Sequence, residues 1–446
     1  MRHALILVSL ILVLPFAALA QTPDYTARLE RQFGPLAETR DFSGVIGVRR
    51  GEELLAFVRL GYGDWENQQA FDTAARFDAG PLSALLVQAV IQELADDGAL
   101  NLDAPVQTYL HELEGQAAVT VRDLVHHRSG LTAELAWDAL RSLRTDDIVA
   151  WVRDHATLQD GPHEAMASEL NHALLVAIAE RAGRGRFETL AALHVLSPAG
   201  LNDSYLVRGR IETALPVYRP GPPPLELVRQ PGAPARPGSG GLVSSVDDLL
   251  ALGRAVASRE IDLFNDDGSL RPPARLWRYG EHTLYVIGSE LAMILIVPSQ
   301  ELVIAYAGNI NSYPAAEMLP LLATAILDPA LQPPAPRPAS VALSGQIDAA
   351  GRYLSPDLGP LQLQAGTLGM DVMIEATGER QFLTPSGEDR LLWRHFNTEL
   401  SLIRDELGQV TRLEAVRRPL SRGEERFAIE RLDLPEPASD DGSVPG

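Results

Sequence analysis

The sequence predicts an α/β (α+β) fold in which an antiparallel sheet is flanked by helices and interrupted by a helical insert, followed by a small C-terminal all-β domain. Two strand hairpins predict the sheet, one at 44–60 and the other at 291–307. Helical periodicity dominates the residues between them. A proline-rich segment at 328–339 then separates this part from a series of short alternating segments. We therefore expect two domains in a chain of 446 residues.

The elements of the first domain, at 21–327, each have a local signal. Strand patterns at 44–48 and 54–60 flank a short turn and form a hairpin. Residues 81–97 place their apolar side chains on one helical face. The remaining predicted elements are helices at 171–182 and 246–257, strands at 291–297 and 302–307, and a closing helix at 315–327.

The C-terminal third has a different pattern. Residues 328–339 read as a semi-rigid proline-rich linker, which we expect to lack stabilising hydrogen bonds. The segment 340–432 alternates apolar and polar residues between turn signals, as an all-β domain does. Residues 433–446 form an acidic tail rich in proline, serine and glycine, which predicts disorder.

The first twenty residues have the pattern of a secretory signal peptide. An apolar run at 4–16 follows a basic start, and Ala18 and Ala20 form a small-x-small cleavage site before Gln21. The alternative is a membrane anchor, but the run is short for a span and a polar segment follows it. We therefore predict removal of 1–20 and export to the periplasm or the extracellular space, with no stable membrane span after cleavage.

The composition excludes several classes of function. A net charge of −21 disfavours nucleic acid and anionic membrane as partners. The chain has no cysteine, so it forms no disulfide. We expect no metal and no cofactor, because the histidines are scattered and no phosphate-binding loop is present. All 38 basic residues are arginine, and the absence of lysine excludes any mechanism that needs a lysine base.

A series of short motifs runs through the first domain. They are FSGVIGV at 42–48, GYGD at 61–64, TAARF at 73–77, GALNLDAPV at 98–106, VRDLVHHRSGL at 121–131, LSPAGL at 196–201 and SGGLVSS at 239–245. In this order they resemble the β-lactamase-related serine hydrolases, a family of class C β-lactamases, D-alanyl-D-alanine carboxypeptidases and related esterases. The resemblance covers about 42–327 and implies a penicillin-recognition, serine β-lactamase-like fold. The segment 340–432 resembles the β domain often appended to such proteins.

The resemblance implies a Ser-x-x-Lys motif at the start of the helix after Gly80. Pro81 occupies the serine position and Ala84 the lysine position. The motif needs this spacing because residues three apart share a helical face, so the amine can take the hydroxyl proton. Proline suits a first helical turn but has no N–H. In this family the nucleophile's own N–H is an oxyanion-hole donor, so nucleophile and donor are both absent.

Two further family motifs are also altered. The Tyr-x-Asn motif falls on Ala167 and Glu169, or after a slip of two residues ends at Asn171, and neither register contains tyrosine. The Lys/His-x-Gly motif of the strand that faces the nucleophile falls on His282 and Leu284. The family's small residues there let substrate lie along the strand, so we expect the side chain of Leu284 to obstruct substrate binding along it.

Ser83, His127 and His282 are candidates for substitute catalytic groups, in addition to Glu169. Ser83 lies about 200° around the helix from the lost serine, which favours a serine on the helix surface or in the N-terminal turn. His127 is best explained as a residue that holds the turn before Ser129. His282 is either a strand-edge residue without a partner or a remnant of the substrate pocket.

The sequence therefore favours an exported, catalytically inactive pseudoenzyme of this family. Its role would be to bind a cell-wall peptide or a protein partner in the cell envelope. The alternative is an active hydrolase of amide or ester bonds with a site rebuilt around Ser83, His127, His282 or Glu169. A third interpretation places a ligand site in the segment 340–432 and makes the first domain a scaffold.

Overall fold

The computed structural model describes residues 23–432, apart from gaps at 74, 116–118, 132–143, 157–167, 213, 222–226, 266–267, 335–336, 339, 342–343, 367–368 and 422. The predicted signal peptide at 1–20 and the predicted tail at 433–446 lie outside the described residues. Within the described ranges, no helix is long and apolar enough to cross a membrane.

Thirteen described strands belong to the first domain. In chain order they are β1 (Gly44–Arg50), β2 (Glu53–Leu60), β3 (Phe77–Asp78), β4 (Tyr205–Leu206), β5 (Gly209–Arg210), β6 (Tyr218–Pro220), β7 (Leu227–Arg229), β8 (Pro234–Ala235), β9 (Leu242–Ser244), β10 (Arg275–Tyr279), β11 (His282–Gly288), β12 (Ala292–Val297) and β13 (Leu302–Gly308). Six of them form the main antiparallel sheet, in the order β10-β11-β12-β13-β1-β2. The two predicted hairpins therefore meet in the middle of one sheet, where β1 pairs with β13.

The described α-helices lie on both sides of this sheet. They are α1 (Tyr25–Glu38), α2 (Ser83–Asp96), α3 (Val121–Val125), α4 (Thr145–His155), α5 (Glu169–Ala182), α6 (Phe187–Ala191), α7 (Val246–Ala257) and α8 (Ala315–Leu327). Helices α1 and α8 share a hydrophobic core with one face of the sheet. The opposite face belongs to a larger core with α2, α5 and α7. Strand alternation divides the two cores, since Ile294 lies in the larger one while Met293 and Leu295 lie in the smaller one.

The C-terminal domain is a closed antiparallel barrel of eight strands. The strands are β14 (Gly351–Ser355), β15 (Gly359–Ala365), β16 (Met370–Ile374), β17 (Glu379–Gly387), β18 (Arg390–Trp393), β19 (Thr398–Arg404), β20 (Val410–Arg417) and β21 (Glu425–Arg431). Alternate side chains such as Leu361 and Leu363 fill its own hydrophobic core. The predicted fold class, an α/β sheet domain followed by a small all-β domain, is confirmed.

The segment between the domains is anchored to the first domain. Arg31 Nη2 donates to the carbonyl of Pro329 at 3.0 Å, and Gln32 Nε2 donates to the carbonyl of Leu331 at 2.8 Å. The expectation that residues 328–339 lack stabilising hydrogen bonds is therefore wrong. These hydrogen bonds could not be predicted from the sequence, because α1, which supplies both donors, lies about 300 residues before the linker.

Candidate functional site

The turn that precedes α2 lies at one end of the main sheet. Three backbone hydrogen bonds of 2.8 Å connect the segments there: Leu215 N to Arg76 O, Tyr218 N to Asn309 O, and Gly308 N to Leu291 O. They bring the chain just before Gly80 to the end of the sheet where β13 finishes and β11 turns into β12. The turn itself contacts β9, β11 and β12. This end of the sheet is therefore where the predicted site assembles.

The first predicted motif occupies a short 3-10 turn and the start of α2. Pro81 is the central residue of the turn Gly80–Leu82 and is exposed to solvent. Ala84 is buried in the first turn of α2. Ser83 is fully buried at 0% exposure, and its hydroxyl has no hydrogen-bond partner in the described part of the chain. The one residue of this group that solvent reaches, Pro81, therefore carries neither a hydroxyl nor an N–H.

The second motif lies at the N-terminus of α5. Ala167 lies outside the described residues. Glu169 is the first residue of α5, and both of its carboxylate oxygens accept a hydrogen bond from Arg236 Nη1 at 3.0 Å. Arg236 leads into the loop whose Gly240 lies beside Gly80. Glu169 is therefore engaged in an ion pair with a neighbouring loop, which is a structural role.

That loop is held close to α5 by a glycine. Gly238 has a φ of +76°, and a side chain there would place its Cβ 2.8 Å from the carbonyl oxygen of His172. Only glycine combines this backbone conformation with such a close approach. The loop and the N-terminal turn of α5 are thus packed together next to Pro81.

His282 and Leu284 do not reach the site. Both lie in the half of β11 that begins the strand, and His282 Nδ1 lies 3.3 Å from the hydroxyl of Ser299, at the far end of the sheet. Leu284 is fully buried in the core shared with α1 and α8. Because alternate residues of a strand face opposite sides, His282 shares that orientation. The expectation that Leu284 obstructs substrate binding along the strand is therefore wrong, and His282 is not a remnant of the substrate pocket.

The side chains that β11 presents toward α2 are Tyr285 and Ile287. Ile287 is fully buried in the larger core, and Tyr285 packs against that core half-exposed, with its ring edge-on to Phe264. Sequence reasoning missed these two residues because the matching histidine lies three residues earlier. The register of the β11–β12 hairpin, which pairs Gly288 with Met293, decides which residues lie near the site.

A buried polar cluster lies between the turn after α3 and the start of α5. His127 Nε2 lies 3.2 Å from His172 Nε2. His127 Nδ1 accepts a hydrogen bond from the Ser168 backbone N–H at 3.0 Å and lies 3.1 Å from Asn171 Nδ2. Ser129 Oγ donates to Asn171 Oδ1 at 2.6 Å. His127 thus connects the turn to α5, and the Ser129 hydroxyl is directed at an amide oxygen rather than at an imidazole base.

The two imidazoles of this cluster are neutral at ordinary pH. Burial, reinforced by the neighbouring His126, lowers the pKa of His127 to about 4. Burial, reinforced by His127, lowers the pKa of His172 to about 3. Since His127 Nδ1 accepts from Ser168, its proton is on Nε2 and is donated to His172. The proton of His127 is therefore directed at a second buried imidazole and away from the site.

Asp78 is a titratable residue close to Pro81 that sequence reasoning missed. Its Oδ1 accepts a hydrogen bond from Gly80 N at 2.9 Å. Burial raises the pKa of this carboxyl, and the hydrogen bond from Gly80 opposes the rise. The carboxyl closes the turn that carries Pro81. No candidate nucleophile named from the sequence has a base within hydrogen-bond reach, and the described residues contain no cluster suited to a metal.

The chain belongs to the Beta-lactamase family. The sequence model of that family matches residues 29–325, which is most of the first domain. Members of the family are serine hydrolases that act on amide bonds. Penicillin-binding protein 4* of Bacillus subtilis (strain 168) is 25% identical over 190 residues. That match spans 41% of this chain and 42% of the relative, which is less than half of either protein.

Solved structures share the fold at low sequence identity. The crystal structure of SurE covers 92% of this chain and is itself covered to 98%, with a TM-score of 0.57 and 17% identity. A class C β-lactamase from Rhodobacter sphaeroides covers 68% of this chain and is covered to 99%, with a TM-score of 0.54 and 19% identity. The likeness to the first structure therefore extends beyond the sheet domain, whereas the second matches a smaller part of the chain.

Proposed function

We propose that this protein is an exported member of the family that has lost serine hydrolase activity and serves a binding or structural role in the cell envelope. The observation that carries the proposal is Pro81, which is exposed at the nucleophile position and has neither a hydroxyl nor an N–H. Losing a single oxyanion-hole donor lowers rates by roughly 10²–10³. Here the nucleophile and the lysine are absent as well.

The partner we propose is a cell-wall peptide. The end of the main sheet, the N-terminus of α5 and the loop around Gly238 surround Pro81 with ordered backbone. A penicillin-binding protein is among the relatives of this chain. A site that is enclosed by backbone segments but has no nucleophile and no lysine base can hold a ligand without cleaving it.

A paired assay of turnover and binding tests the proposal. Hydrolysis of nitrocefin and of p-nitrophenyl acetate should not exceed the buffer rate, with an active class C β-lactamase as the positive control. A fluorescent peptide ending in D-alanyl-D-alanine should bind, as measured by anisotropy, and be recovered uncleaved. Turnover above buffer would refute the inactivity, and the absence of binding would refute the choice of partner.

Export is tested separately. Expression of the full chain in a Gram-negative host should give a periplasmic protein whose intact mass corresponds to a start at Gln21. Retention of Met1–Ala20 in a membrane fraction would support the anchor instead.

A further inference from the structure

A cavity of about 320 Å³ lies where the first domain, the linker and the barrel meet. Asp41 comes from the first domain, Arg337 from the linker, and Thr384 and Arg394 from the barrel. The exposed residues Glu38 and Arg40 also line it. This cavity is distinct from the surroundings of Pro81.

The inner part of the cavity carries an excess positive charge. The Asp41 side chain is fully buried, and its Oδ1 accepts hydrogen bonds from Arg337 Nη1 at 2.7 Å and from Arg394 Nη2 at 2.6 Å. Its other oxygen accepts from the hydroxyl of Thr39 at 2.7 Å. One carboxylate therefore faces two guanidinium groups, and Glu38 and Arg40 balance each other at the exposed rim. A buried charge without a counterion is costly, so the pair of arginines favours a second anion.

Two residues that line the cavity each carry a buried donor without a hydrogen-bond partner among the described residues. The Arg337 side chain is 6% exposed, and its Nε has no hydrogen-bond partner in the described part of the chain, while the guanidinium lies over the Tyr313 ring, 4.6 Å from the ring centre. Thr384 is 5% exposed, and its hydroxyl likewise has none among those residues. Buried donors in native proteins are normally satisfied, so an unmet N–H and an unmet O–H in one cavity indicate an acceptor that belongs there.

The arginine-rich lining continues beside this cavity. Arg394 also lines a smaller cavity of about 110 Å³, together with Arg219 and Arg380. Glu379 also lines the smaller cavity, so its arginines outnumber its acidic residues, in a chain with a net charge of −21. This excess of arginine would attract small anions that the rest of the surface repels.

We propose that the cavity between the domains binds a small oxyanion, a carboxylate or a phosphate, with Arg337 and Thr384 as donors. A water molecule occupies about 30 Å³ in the liquid, so the cavity has room for an anionic group and an attached organic part. Asp41 balances the charge of only one of the two arginines, Arg337 and Arg394, and the oxyanion would balance the other. It would thereby stabilise the contact between the domains. This site is independent of the proposed loss of catalysis.

Calorimetric titration tests the proposal with three probes: inorganic phosphate, succinate and its neutral analogue succinamide. The full mature chain is used, at fixed pH and at an ionic strength held constant with chloride. We expect one mole of phosphate or succinate to bind per chain, and succinamide not to bind. Binding of one oxyanion alone identifies the phosphate or the carboxylate as the source. Equal binding of succinamide, or no binding of either oxyanion at 10 mM (about the weakest affinity such a titration resolves), would overturn the proposal.

A matched pair of variants locates the site. Thr384→Val replaces the hydroxyl, which has no hydrogen-bond partner among the described residues, with a methyl group and should weaken oxyanion binding roughly fivefold to tenfold. Thr384→Ser keeps the hydroxyl and should bind like the parent protein. Arg337→Lys keeps a cation beside Asp41 but lacks Nε, and should also weaken binding. If Thr384→Val binds as tightly as Thr384→Ser while both remain folded by circular dichroism, the anion does not sit here.

Discussion

The proposed loss of catalysis depends on Pro81. Proline suits the first turn of a helix, so this residue is compatible with the helix start although it has neither a hydroxyl nor an N–H. The assignment of Pro81 and Ala84 to the serine and lysine positions rests on their distance from Gly80 in the sequence and stays a prediction. The sequence could not predict the burial of Ser83, which depends on the packing of α2 into the larger core.

Restoring the first motif should not restore activity. Pro81→Ser with Ala84→Lys returns the hydroxyl, the N–H and the amine. The described start of α5 still presents Glu169 in an ion pair, and β11 presents Tyr285 and Ile287. Because catalytic groups act as a unit, nitrocefin hydrolysis should stay at least about 100-fold below that of an active class C β-lactamase.

The matched control for this variant is Pro81→Ser with Ala84→Met, which keeps the added bulk in the buried position without the charge. Both variants should be checked for folding by circular dichroism. A rate typical of the family in the lysine variant alone would show that the remaining motifs are intact in function.

Asp41 should be far more important for stability than an exposed aspartate in a similar ion pair. Asp41→Asn leaves two largely buried guanidinium groups without their carboxylate, which costs about 3–5 kcal/mol. Urea denaturation measures the change. The control is Asp103→Asn, which removes an exposed pair with Arg122 and should leave the midpoint nearly unchanged. Equal effects of the two substitutions would contradict this account of the buried ion pair.

At the scale of elements, the sequence predicted the hairpins of the main sheet, but its assignment of the site residues on β11 was wrong. The helices at 246–257 and 315–327 have the predicted bounds, because each carries an uninterrupted apolar face. Helix α1, strand β10 and helix α4 were missed. The assignment of His282 and Leu284 failed for a physical reason: a motif match does not fix the register of a hairpin, and that register sets which side chains face α2.

The link between α3 and α5 should make stability depend on pH. The pKa values of His127 and His172, at about 4 and about 3, lie below the ordinary value near 6.5 of the unfolded chain. The unfolded state therefore binds more protons between about pH 3 and pH 6.5, and the free energy of unfolding falls as the pH falls through that window. This contribution is fully present above about pH 6.5.

The variant His172→Gln measures this contribution. It removes one of the two protonation sites, so the loss of stability between pH 7 and pH 4 should shrink by on the order of 1–3 kcal/mol relative to the parent. His155→Gln, at an exposed position of α4, is the control and should keep the parent profile. A parent-like slope in His172→Gln would show that the imidazoles are not buried together as described.

At the scale of the whole molecule, the sequence predicted two domains but not how they are joined. The proline content predicted the linker, and the alternation of apolar and polar residues predicted the all-β domain. The contact between the domains depends on Asp41, which lies 296 residues before Arg337 and 353 residues before Arg394, and on Leu420, which packs into the core beside α1 and α8. Side chains that meet at such separation leave no local pattern. We propose that each domain folds separately and that this contact then stabilises the pair.

Shortening the chain tests that proposal. A mature chain ending at Leu327 keeps the whole main sheet but loses Arg337, Arg394 and Leu420. It should remain soluble and unfold at a lower temperature than the parent. Because Asp41 then has neither arginine, Asp41→Asn should change the stability of the shortened chain by less than about 1 kcal/mol. Unfolding of the shortened chain at room temperature would show that the two domains share one core.

The central claim is that Pro81 leaves this protein without a nucleophile, and covalent labelling tests it most directly. The purified mature protein is incubated with a fluorescent penicillin and, separately, with a fluorophosphonate probe, beside an active class C β-lactamase. Intact mass and gel fluorescence after denaturation report any adduct. We expect labelling of the control enzyme and none of this protein. An adduct stable to denaturation, located by peptide mass spectrometry on a serine of this chain, would contradict the account.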